Sequence, residues 1–261
     1  MLFLLIILLF GCDDSVSPNG LLKLRGMKTK DFFREENDIA LCEAVQSGRS
    51  DEIARMVAMG SNPNCLGRDG MRPLLWAVVK NNYEGFSSLL ESGANPNFAI
   101  DSRQSSGGPK TLVALTIKLQ DHRFLSEALR HGGDPNTNTG YIGETIIFDA
   151  ISFGTNDRLS DLISSGADVN HRDDKGDTPA NYAANINNYD MVLQLLDAGA
   201  DLTIKNKWGE SVLDKISIYG DRAMDSDSKY MRDYLNVVRK LRSKGMLMNL
   251  DPAKYDGNPS T

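Results

Sequence analysis

The chain has 261 residues, 41% of them hydrophobic, a net charge of −6 and three cysteines. That balance describes one soluble, elongated domain with enough apolar side chain to build a core. The negative charge makes a phosphate backbone an unfavourable partner, which excludes nucleic acid as the expected ligand. A basic protein partner is compatible with it.

Met1 to Phe10 is almost wholly Leu, Ile and Phe. The nine residues after the Met are too few to cross a bilayer as a helix, which needs about 20. They suit the apolar region of a secretory signal. The ending Leu9-Phe10-Gly11-Cys12 resembles a bacterial lipobox. The resemblance implies a signal over 1–11, cleavage before Cys12, lipidation of Cys12, and a short polar tether over 12–22. The expected location is the bacterial periplasm, with the lipid held in the inner or outer membrane and no other membrane attachment. The segment has no Lys or Arg at its start, so either the true start codon lies upstream or the segment is something else, an N-terminal artefact or the buried apolar arm of a soluble protein.

A charged lead-in follows, Lys23 to Asn37, and then a phrase that returns five times: Gly60-Ser-Asn-Pro-Asn64, Gly93-Ala-Asn-Pro-Asn97, Gly132-Gly-Asp-Pro-Asn136, Gly166-Ala-Asp-Val-Asn170 and Gly199-Ala-Asp-Leu-Thr203. Its glycines are 33, 39, 34 and 33 residues apart, and a period in that range means a stacked repeat. Seven residues before each glycine stands Ile53, Phe86, Leu125, Leu159 or Val192, with an apolar or small pair three and four before it. These positions share one helical face, so each unit ends in an amphipathic helix stopped by its glycine. Twelve residues before the glycine comes Gly48, Asn81, Gln120, Gly154 or Asn187. Gly and Asn tolerate positive φ, so a tight turn between two short helices is predicted there, with Gln120 as the exception. Sixteen before it stands Ala44, Ala77, Thr116, Ala150 or Ala183, small enough to let neighbouring first helices approach.

The unit resembles the ankyrin repeat. Gly176-Asp-Thr-Pro-Ala-Asn-Tyr-Ala-Ala184 carries the family phrase best, Gly70-Met-Arg-Pro-Leu-Leu-Trp-Ala77 follows, and Thr111 and Thr145 open their units without the Pro. No unit has the family histidine. The resemblance implies an all-α repeat solenoid of about five to six repeats, each a helix-turn-helix with a β-hairpin finger. It places an ankyrin-repeat domain over 23–261 with an N-terminal lead-in and an irregular C-terminal cap. In that cap 46 residues separate Gly199 from Gly245. The excess falls in the polar stretch Gly220 to Lys229, before a basic second helix, Lys229 to Lys244. Asp101 to Gly108 likewise enlarges the third finger.

No catalytic constellation or metal-ligand spacing is present among His122, His131, His171 and the cysteines, and no cofactor is expected. Asp173-Asp174, flanked by Arg172 and Lys175, is read as a solvated charged tip. Cys42, at the place of the family histidine, and Cys65 lie in the first repeat. They stand either as a disulfide, which in an exported protein would contribute about 3 kcal/mol on the loop-entropy estimate, or as two buried thiols.

Ankyrin proteins mostly bind other proteins through their fingers and the exposed side of their first helices. Carried over by position, this makes Arg68, Asp69, Tyr141, Ile142, His171, Asp173, Asp174, Lys207 and Trp208 the finger residues for a partner, with Trp76, Phe153 and Tyr182 on the first helices. Trp208 and Tyr141 carry most weight, because a finger tip has no core to fill. Inter-repeat packing is the alternative role for Trp76, Phe153 and Tyr182. The implied function is a non-catalytic, monomeric binding protein of the bacterial envelope, in its most specific form an immunity protein against a secreted, periplasm-acting toxin such as a phospholipase or wall hydrolase. An envelope scaffold or stress-protection adaptor is the alternative, and a host-directed ankyrin effector is a third.

Overall fold

The structure, a computed structural model, describes residues 26–100, 110–139, 142–219 and 229–246. Cys12, Tyr141, the enlarged part of the third finger and most of the Gly220-to-Lys229 stretch lie outside the described residues. Packing divides the chain into two units, Met1–Tyr141 and Ile142–Thr261.

In the first unit the helices are α1 (Glu36–Gln46), α2 (Ser50–Ala58), α3 (Pro73–Lys80), α4 (Tyr83–Glu91), α5 (Leu112–Thr116) and α6 (Arg123–Arg130). The strands β1 (Ala99–Ile100) and β2 (Lys110–Thr111) pair antiparallel, Ala99 with Thr111 and Ile100 with Lys110, and form the root of the enlarged finger. The second unit holds α7 (Ile146–Ser152), α8 (Asn156–Ser164), α9 (Pro179–Asn185), α10 (Tyr189–Asp197), α11 (Val212–Tyr219) and α12 (Lys229–Ser243). First helices pack on first helices, α1 on α3 and α7 on α9 on α11. Second helices pack on second helices, α2 on α4 on α6 and α10 on α12. Within each unit this is the stacked helix pairing of an ankyrin-type solenoid, in which no pair could bury its apolar face alone.

The local causes are those legible in the spacing. The glycines that stop the second helices all have positive φ, from 72° at Gly245 to 103° at Gly60. At Gly60, Gly93, Gly132, Gly166 and Gly199 an added Cβ would meet nothing, so backbone conformation and not space demands glycine. The inter-helix turns put Gly48, Asn81, Gly154 and Asn187 at positive φ, whereas Gln120 is not among the positive-φ residues. Ala44, Ala77, Thr116, Ala150 and Ala183 are fully buried where first helices meet. Thr178 caps α9 by accepting the amide of Asn181, and Thr111 does the same for α5 without a following Pro. Thr145 makes no such cap, and its buried hydroxyl has no partner.

The ends are closed by aromatic residues. In the lead-in, Phe32 and Phe33 are buried, and the Phe32 ring lies 5.6 Å from Trp76. At the other end Tyr234 of α12 packs edge-on against Tyr189 and donates its hydroxyl to the Ile216 carbonyl at 2.8 Å.

Candidate protein-binding surface

Each finger is built by the recurring phrase. Its middle Asn or Asp turns the chain by accepting the amide two residues on, as Asn62, Asn95, Asp134, Asp168 and Asp201 all do at 2.8–2.9 Å. Its last Asn reaches into the next repeat. Asn64 accepts the Asn95 amide at 2.7 Å and donates to the Gly93 carbonyl; Asn97 makes the same pair with Asp134 and Gly132 at 2.8 Å each. Asn170 accepts the Asp201 amide. The phrase identified the repeat, and its recurrent Asn was the available sign of this side-chain ladder.

In the second unit the fingers also bond to one another. The His171 Nε2 lies 2.7 Å from the Gly143 carbonyl, and the Asp174 amide donates to Ile142. The Lys207 amide donates to Lys175, and the Arg172 guanidinium donates to the Lys205 carbonyl at 2.9 Å. Asn206 is buried; its side chain accepts the Trp208 and Glu210 amides and donates to Asp177. On this frame the Trp208 side chain stands 66% exposed. Beside it, Lys205 lies 3.4 Å from the Asp214 carboxylate. Hydrogen bonds from the hydroxyl and amide of Ser211 hold that carboxyl below its usual range.

The other expected binding residues fall into different places. Lys207, Arg68 and Asp174 are exposed, and Ile142, Asp69 and His171 are half-buried. Phe153 is 47% exposed at the end of α7. Tyr182 is half-buried, its ring edge-on to Phe148 at 5.7 Å. Two expectations need correction. Trp76 is fully buried, held between Phe32 and the ammonium of Lys80, which sits 4.3 Å above its ring; it fills the core and presents no surface. Asp173 is not part of a solvated tip: it is buried, and its carboxylate accepts the amides of Lys175 and Asp177 at 2.8 Å each. A short acidic side chain in a finger folds back onto unpaired amides before it reaches for a partner.

Cys42 on α1 and Cys65 after the first finger phrase are buried free thiols in this structure. Burial, and then a hydrogen bond between the two side chains, pushes the Cys42 thiol far up. Among the described residues no group of three or more His, Cys, Asp or Glu side chains is placed to hold a metal ion, and no helix is long and apolar enough to cross a membrane.

A family model described as ankyrin repeats (3 copies) matches residues 114–206. Protein PhlB of Serratia liquefaciens is 29% identical over 156 residues, 59% of this chain and 65% of that protein. BCL-6 corepressor-like protein 1 of Homo sapiens is 34% identical over 113 residues, 41% of this chain and 6% of that protein. The human mitochondrial disaggregase is 28% identical over 184 residues, 68% of this chain and 24% of that protein. The chain therefore spans less than two thirds of the length of each of these relatives.

Proposed function

We propose that the chain is a protein-binding module built of ankyrin-type repeats and, more specifically, an immunity protein, tethered in the bacterial envelope through Cys12, that caps a toxin acting in the periplasm. The observation that carries this reading is Trp208. A large aromatic side chain held out from a hydrogen-bonded finger is an interface anchor, because its apolar area is exposed without a packing role and its backbone is already ordered. Neutralisation by such a surface is steric. The fingers occupy the approach to the toxin's active site, with a phospholipase or a wall hydrolase as the fitting class, and no reacting group is supplied by the chain. The lipobox-like Leu9-Phe10-Gly11-Cys12 supports the address where such a toxin acts.

The test is affinity capture with the wild-type protein and with Trp208→Ala, from the secreted and envelope proteins of the producing organism. Capture of a hydrolase by the wild type, at least about tenfold weaker with the variant and accompanied by loss of that hydrolase's activity, is the expected result. Capture of a resident, non-toxic envelope protein would replace immunity with the scaffold reading. Equal capture by both baits would remove Trp208 from the interface.

A further inference from the structure

Among the described residues five large apolar side chains stand exposed: Met59, Leu66, Phe153, Ile186 and Trp208. Two of them form a pair. Phe153 and Ile186, 47% and 46% exposed, occupy the same position in consecutive repeats, each directly after its first helix. They lie at the opposite end of α7 and α9 from the fingers and line one cavity of about 390 Å³. Tyr189 also lines it, and at its rim are Lys229 and Asp233 of α12, paired at 2.7 Å.

That rim continues into the most strongly charged element of the chain. Residues 229–244 hold six Lys or Arg and one Asp, a net +5 within a chain of net −6. Met231, Tyr234, Val237, Val238 and Leu241 are buried, and α12 packs on α10. Arg232, Arg239 and Lys244 are exposed, and Lys240 and Arg242 are half-buried. Of the carboxylates on α10, Asp197 pairs with Lys240 at 2.6 Å and Asp190 accepts a hydrogen bond from Asn156.

We infer that the Phe153–Ile186 notch and the cationic side of α12 together form a second docking surface, whose occupant is an acidic segment of a partner protein. One large apolar side chain of that segment enters the notch, and its carboxylates run along Arg232 and Arg239. The recessed notch decides for a protein segment over an anionic bilayer: a flat lipid surface meets exposed cations but cannot fill a cavity behind them. The surface is separate from Trp208 and extends the protein-binding reading given above, on which it rests, by stating the partner's chemistry.

The test uses the full-length protein and an unbiased displayed-peptide library. Selections are run on the wild type, on Phe153→Ser/Ile186→Ser, and on Arg232→Glu/Arg239→Glu; all four changed side chains are exposed, and circular dichroism checks the folds. The expected consensus is net negative with one large apolar residue. The synthesised winner should bind each double variant at least about tenfold more weakly than wild type and lose affinity as salt rises. A neutral or basic consensus, no enrichment, or equal binding to the variants would overturn the proposal. Vesicles of phosphatidylcholine and phosphatidylglycerol in equal parts form the second arm. Vesicle binding abolished by the Arg variant and untouched by the Phe153/Ile186 variant, with no peptide selected, would assign the stripe to lipid instead. Because neither arm contains a toxin, failure to capture one leaves both readouts intact.

Discussion

Glu127 shows how one side chain ties two helices of the first unit together. Its carboxylate, 6% exposed on α6, accepts hydrogen bonds from Ser87 at 2.8 Å, from Arg130 at 2.6 and 3.2 Å, and from Tyr83 at 3.3 Å. Burial pushes this carboxyl up, but the hydrogen bonds from Arg130 and Ser87 and the Arg130 charge outweigh it and hold it below the usual glutamate range. A carboxyl whose folded pKa is depressed contributes stability that is present above its unfolded value, about 4.3, and is lost as pH falls through the folded value. Glu127→Gln is expected to flatten that acid limb of a stability-versus-pH curve. Superimposable limbs for variant and wild type would show that the charge is not coupled to folding. Nothing in the repeat spacing marks Glu127, because its partners Ser87 and Tyr83 come from a neighbouring repeat whose pairing depends on the stack. The finger Asn residues are the reverse case: they recur in the sequence, and only their bonding was hidden. Asn97→Ala removes two inter-repeat hydrogen bonds and should cost about 1–2 kcal/mol in urea unfolding. No measurable cost would mean that water replaces both at this exposed site.

Among the helices, α4 is set by Gly85, where an added Cβ would lie 2.1 Å from the Val45 carbonyl oxygen of the preceding repeat. Gly85→Ala improves intrinsic helix propensity, yet it must push α4 away from α1. A net loss of about 1–3 kcal/mol is expected by thermal or urea unfolding, and a neutral or stabilised variant would contradict so close an approach. The sequence could not reveal this: a glycine inside a helical pattern reads as a weak point until the neighbouring backbone is in place. The same holds for the charged lead-in, in which Phe32 and Phe33 seal the first repeat. Burial also controls the adjacent thiols of α1 and the loop after the first finger. Neither Cys42 nor Cys65 is expected to react with a maleimide in the native protein, and both should react once it is unfolded. Reaction that appears only after a reductant is added would show the pair bridged.

Stability in stacked repeats is a sum of local terms and nearest-neighbour interfaces, so damage at one end should stay there. Val238 is buried on α12, which packs on α10. Val238→Ala should speed amide exchange over α10 to α12 and leave α1 to α4 unchanged, as read by hydrogen-exchange mass spectrometry. Uniform acceleration along the chain would show one cooperative unit instead. This locality also explains what could be read before any coordinates. The helix pairs, their turns, the glycines that stop them and the finger positions all followed from residues a few places apart within a 33-residue unit, where backbone geometry and the period of the apolar positions act. Which of the first-helix aromatic side chains reach solvent did not follow. Trp76 and Phe153 both read as first-helix residues, yet one is fully buried and the other 47% exposed. The difference lies in Phe32 of the lead-in, which covers Trp76 from outside its own repeat, beside Lys80 one turn further along the same helix. The tertiary structure alone decided this, because exposure is set by what packs across the stack, and the repeat period carries no information about a lead-in or a cap that does not repeat.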